Sequence, residues 1–109
     1  MIHVKSDREG LTLTMQGHAH AENNGEGHDL VCCSASILVQ TLAYYAQECG
    51  HLQVQGRLAK GDAYIHLEPE QGCLGAARIA YTVIERGLEM LQKAYPQHIS
   101  IEYAPDKAQ

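Results

Sequence analysis

Apolar residues first recur at every second position. Ile2 and Val4 alternate with His3 and Lys5, and after the polar stretch SDREG, Leu11, Leu13 and Met15 alternate with Thr12, Thr14 and Gln16. Strict alternation on both sides of an Asp/Gly turn predicts a β-hairpin with one apolar face. The periodicity vanishes over residues 17–28, a loop long for a small chain and therefore a place to look for function. It returns with a helical period from Asp29, where Val31, Ala35, Leu38, Leu42, Tyr45 and Cys49 form one stripe and Gly50 is a fitting stop. Leu52, Val54 and Leu58, then Ala63, Ile65 and Leu67, alternate with polar residues about the Lys60-Gly61-Asp62 turn, predicting a second hairpin. Ala77, Ala80, Ile84, Leu88, Leu91 and Tyr95 mark a second helix over 73–95, with Arg78, Glu85, Arg86, Glu89, Gln92 and Lys93 on its wet face. Pro96 ends it, and Ile99, Ile101 and Tyr103 make a last strand.

The predicted order is β-β-α-β-β-α-β, and every element carries a single apolar face. An α+β fold, a two-layer α/β sandwich with both helices on one face of a mainly antiparallel sheet, buries all of these faces together. At 109 residues the expectation is one domain spanning 1–109. The chain has no Phe and no Trp, so the core is aliphatic with tyrosine.

A formal net charge of -5 argues against direct nucleic-acid binding by phosphate neutralisation and against anionic membranes. The opening MIHVKSDREG lacks the apolar segment of a signal peptide, and no apolar run is expected to reach the ~18 residues of a membrane span. The expectation is a cytoplasmic protein with no membrane partner. There the four cysteines are reduced thiols, and they lack paired C-x-x-C spacing.

The chemistry concentrates in GHAHAENNGEGHDLVCCSAS, residues 17–36. With a helix starting near Asp29, Cys32 falls in its first turn, where unpaired backbone N–H groups and the positive end of the macrodipole favour thiolate. His18 follows a strand end and a glycine, a sound seat for a general base. Together they make a Cys–His nucleophilic pair. His20 and His28 compete for the base, His28 standing one turn below Cys32 if the helix begins earlier. Asp29 is either the N-cap or the group that orients the imidazole. Ser36, one turn past Cys32, is either a donor to thiolate or substrate or a serine bonded back to its own helix. Cys33 is turned about 100° from Cys32 and is expected to pack. The spacing HxH-x7-H-x3-CC matches no structural zinc pattern, so the expectation is no metal and no cofactor.

GHA at 17–19 and GHDLVCCSAS at 27–36 resemble the signature of the bacterial ribosomal-processing cysteine protease family Prp. The resemblance extends to the order of elements over nearly the whole chain. It implies His18 and Cys32 as catalytic residues, with Asp29 and Ser36 as the family's nearby aspartate and serine. It also implies a homodimeric cytoplasmic endopeptidase that removes the N-terminal extension of a large-subunit ribosomal protein of the bL27 type. Two departures stand out: a loop about two residues longer than usual, and Cys33 in place of a small residue. Two alternatives remain at this stage: a non-enzymatic, ribosome-associated peptide-binding factor, and a phage-type relative that cuts capsid or scaffold proteins.

Overall fold

The computed structural model describes residues 1–17, 26–50, 52–59 and 61–105, with the backbone alone for 26–29. Seven elements follow the expected order: β1 (Ile2–Asp7), β2 (Thr12–Gln16), α1 (Glu26–Glu48), β3 (Leu52–Ala59), β4 (Asp62–Pro69), α2 (Leu74–Ala94) and β5 (Ile99–Tyr103). They form an α+β sandwich whose five-stranded sheet has the order β3-β4-β2-β1-β5. The β1–β2, β2–β4 and β3–β4 pairings are antiparallel. β5 runs parallel to β1, with Val4 opposite Ile101. α2 therefore crosses over the sheet to deliver β5 beyond β1, the connection a parallel neighbour requires.

Alternation explains the sheet. Ile2 and Val4, Leu13 and Met15, and Ala63, Ile65 and Leu67 point to one face and are buried. That face is covered by Val31, Ala35, Val39, Leu42 and Ala46 of α1 and by Ala77, Tyr81, Ile84 and Leu88 of α2. Each fully buried Leu, Ile or Val contributes roughly 1.5–3 kcal/mol. Gly56 permits the close approach of β3 to β4: a Cβ there would lie 1.8 Å from the Tyr64 carbonyl oxygen.

Several expectations are corrected. Tyr45 is exposed, and Val39 and Ala46 take its place in the buried row of α1. At about 100° per residue, Tyr45 falls off the centre of that row. Leu11 is not in a strand but in the turn after β1, with φ 52°, its side chain buried and its carbonyl accepting from the Leu67 N–H at 3.0 Å. Residues Leu30–Glu48 are, by length and mean hydropathy, apolar enough to cross a membrane, contrary to the sequence reading. Here the Val31–Ala46 row of that segment forms the core against the sheet.

Glu85 is the largest departure. Assigned to the wet face of α2, it is 1% exposed. β1 runs on through Ser6, which continues the inward row of Ile2 and Val4 and donates to Glu85 Oε2 at 2.6 Å. Arg8 donates to Oε1 through Nε at 2.9 Å and pairs with it through Nη2 at 2.8 Å. Tyr81 Oη lies 2.7 Å from Ser6 Oγ and donates to the Thr12 carbonyl at 2.8 Å. A buried carboxylate is tolerable only with such pairing.

Burial pushes the Tyr81 phenol up to about 12, a rise opposed by its hydrogen bond to Ser6 and helped by the charge on Glu85. In the unfolded chain a tyrosine titrates near 10. Because the folded value is the higher one, the neutral phenol's contribution is whole below pH ~10 and is lost as pH rises through about 12. The Tyr103 phenol is also raised to about 12, first by desolvation, but its partial exposure screens its share. Urea unfolding at pH 7 should show Tyr81→Phe less stable by about 1–2 kcal/mol. Repeated at pH 10 to 12, it should show the wild type losing stability with rising pH and the Phe variant losing distinctly less. Gly56→Ala should lower the urea midpoint by the equivalent of about 1–3 kcal/mol, since either β3 or the Tyr64 carbonyl must move.

Candidate active site

The rotation of α1 that seats Val31, Ala35 and Val39 on the sheet turns Cys32 and Ser36 to one flank. Cys32 is half-buried, whereas Cys33, expected to pack, is exposed. Cys32, Cys33 and Ser36 line a cavity of about 230 Å³ whose other wall is Ile2, Met15, Gly17 and Gly61.

Gly17 is held there by its surroundings. Its N–H donates to the Gly61 carbonyl at 2.9 Å, which ties the end of β2 to the β3–β4 turn. Its φ is +97°, and a Cβ would lie 2.5 Å from the Met1 carbonyl oxygen. Only glycine fits a left-handed conformation with so close a neighbour. The peptide unit that leads into His18 therefore starts on the wall of the cavity that Cys32 lines.

His18 and His20 lie outside the described residues, as do the side chains of His28 and Asp29. The backbone still settles two points. α1 starts at Glu26 rather than near Asp29, so Cys32 stands in the second turn and Asp29 within the first. Asp29 is thus not the N-cap. The N-terminal field, which fades within the first turn, does not account for activation of Cys32. The earlier start also puts His28 four residues before Cys32 on the same helix, one turn away.

Met15 and Gly61 were not singled out by the sequence reading, which placed one in the core and the other in a turn. The available signal was adjacency: Met15 is the last apolar position of β2 before Gly17. Among the described residues no three His, Cys, Asp or Glu side chains come together as a metal site. Another cavity, of about 380 Å³, lies elsewhere, between Arg8, Arg78, Glu85 and Tyr103. It holds no thiol, and its Arg8–Glu85 pair joins the turn after β1 to α2.

The profile of the family described as cysteine protease Prp matches residues 1–100. The ribosomal processing protease Prp from S. aureus, solved in complex with a covalently linked product peptide, superposes with a TM-score of 0.76 at 22% identity, covering 95% of this chain and 100% of that one. The same protease in complex with a substrate peptide gives 0.77 at 20% identity, with the same coverage. SMU.848 from Streptococcus mutans gives 0.71 at 18% identity over 97% of this chain and 96% of that one. No curated protein sequence matches at a significant level. The sequence signature, the seven-element fold and the family profile converge, and the chain belongs to the cysteine protease Prp family.

Proposed function

We propose that this chain is a cytoplasmic, homodimeric endopeptidase that removes the N-terminal extension of a large-subunit ribosomal protein precursor of the bL27 type. Cys32 is the nucleophile and His18 the general base. The observation that carries the assignment is that Gly17, bonded to His18, lines the same cavity as Cys32 and Ser36. Family membership supports the reaction class. The S. aureus relatives, described as a ribosomal processing protease with substrate and product peptides, support the substrate class.

The steps follow from thiol chemistry. His18 takes the Cys32 proton, and the sulfur attacks the scissile carbonyl carbon. The tetrahedral intermediate collapses, the C–N bond breaks, and His18 returns the proton to the departing amine. Water, deprotonated by His18, then hydrolyses the thioester and restores the thiol. Ser36, on the same cavity wall, donates a hydrogen bond to the reacting sulfur or to the substrate carbonyl. Asp29, one turn before Cys32 and freed of a capping role, orients the imidazole.

Incubation with the precursor, followed by mass measurement of its new N-terminus, tests this directly. Cys32→Ala should give no detectable cleavage, whereas Cys33→Ser should stay within about threefold of wild type. An active Cys32→Ala with an inactive Cys33→Ser would reverse the assignment. The two histidines separate in the same assay: His18→Ala should lose about 10²–10⁴-fold in rate and His28→Ala little. The opposite ranking would move the base to the helix.

A further inference from the structure

The cavity at Cys32 gathers more sulfur than peptide cleavage uses. Three of the residues that line its 230 Å³ carry sulfur: Cys32 and Cys33 from α1, and Met15 from β2. The whole chain has only four cysteines and three methionines, so nearly half of its sulfur meets here. The remaining described lining is Ile2, Gly17, Ser36 and Gly61, with no Asp, Glu, Lys, Arg or His among them. Met15 is 8% exposed, so its thioether sits in a dry position, whereas Cys33 is open to solvent. Cys33 is also a departure from the signature that the chain otherwise resembles, and the proteolytic steps leave it idle.

Neither Cys32 nor Cys33 is in a disulfide, and inside a helix they cannot join each other. Their Cα atoms stand about 3.8 Å apart across a trans peptide, below the ~4.4 Å that a disulfide needs. A metal ion between the two sulfurs asks for less. With a metal–sulfur bond of about 2.3 Å, the sulfurs can stand from roughly 3.8 Å apart, in a bent arrangement, to roughly 4.6 Å, in a linear one. Neighbouring helical side chains reach such a span by changing χ1 rotamers. Thiolate and thioether donors together select a soft ion, and Cu(I) is the one satisfied by two or three of them. Zn²⁺ in structural sites takes four ligands, and Mg²⁺ and Ca²⁺ take oxygen. No carboxylate among the described lining residues offers that oxygen. The third donor is a methionine, which places the set outside the His, Cys, Asp and Glu clusters typical of harder ions.

We propose that Cys32, Cys33 and Met15 form a Cu(I) site, and that the filled site switches proteolysis off. Each cysteine that enters as a thiol gives its proton to water as its Cu–S bond forms. Met15 supplies a sulfur lone pair and has no proton to lose. Copper stays Cu(I) throughout, so no electron acceptor is needed. While the ion is held, the Cys32 lone pair is engaged and cannot attack a carbonyl carbon. The switch rests on the proteolytic reading, whereas the binding site does not.

The test is an anaerobic titration of the full chain with Cu(I) against the chromophoric chelator bicinchoninate. Cys33→Ser should weaken Cu(I) binding about 100-fold, and Met15→Leu, which keeps the side-chain volume, about fivefold or more. Cys49→Ser and Cys73→Ser should bind as wild type does. X-ray absorption at the copper edge should find one sulfur fewer around copper in Met15→Leu than in wild type. In the precursor assay, one equivalent of Cu(I) should abolish cleavage by wild type, and Cys33→Ser should need about tenfold more copper for the same loss. If Cys33→Ser and Met15→Leu both hold Cu(I) as tightly as wild type, the site is overturned, and cleavage without copper still decides the protease reading. Binding that depends on Cys33 and Met15 in a chain that cleaves no precursor would keep the site and remove the protease reading. Such binding with cleavage undiminished would overturn the switch.

Discussion

The structure depends on how α1 is rotated about its own axis. Val31, Ala35, Val39, Leu42 and Ala46 are all buried, and they are small or medium in size, so the helix lies close on the sheet. A rotation of one residue, about 100°, would expose this row and bury Gln40 or Ser36 in its place. The apolar row therefore locks the helix in one orientation. With the row fixed, Cys32, Ser36 and Gln40 follow one another along the flank facing Met15, Leu58 and Gly61, and Cys33 lies at the exposed side of the Cys32 cavity. The placement of Cys32 and Ser36 on one cavity is a by-product of core packing.

The other helix is pinned differently. α2 meets β1 through the Ser6, Tyr81, Glu85 and Arg8 network, in which buried oxygens are satisfied by partners on another element. Hydrophobic contact alone would let a helix slide by a turn with little penalty, whereas each of these hydrogen bonds has one acceptable geometry. α2 precedes β5, and β5 pairs in parallel with β1, so this network also sets the far edge of the sheet. It lies away from the Cys32 cavity and acts on the site only through the rigidity of the sheet on which α1 rests.

Much of this was legible in the chain. The two hairpins announce themselves because alternation is strict and the turns carry Gly and Asp. The end of α2 is marked by Pro96. What was not legible has physical reasons. The start of α1 was placed too late because Gly25 and Gly27 read as loop residues, yet the helix runs through Gly27, at a cost of about 1 kcal/mol against alanine. Cys32 consequently moves from the first turn to the second, and its proposed activation passes from helix dipole to imidazole. Glu85 was assigned to solvent because its partners, Ser6 and Arg8, lie more than 70 residues away in sequence. Local patterns cannot report such a pair. The cavity between Gln40 and Leu58 escaped notice for the same reason, since the two residues meet only once β3 packs beside α1.

The central claim is that Cys32 is activated by the imidazole whose chain leaves the cavity wall at Gly17. The most direct measurement is the rate of iodoacetamide alkylation of each thiol at pH 6.5, mapped by peptide mass. Cys32 should react at least about tenfold faster than Cys33, Cys49 and Cys73, and His18→Ala should remove the advantage while His28→Ala leaves it. Equal, slow reaction of all four thiols, or a fast Cys32 indifferent to His18, would contradict it.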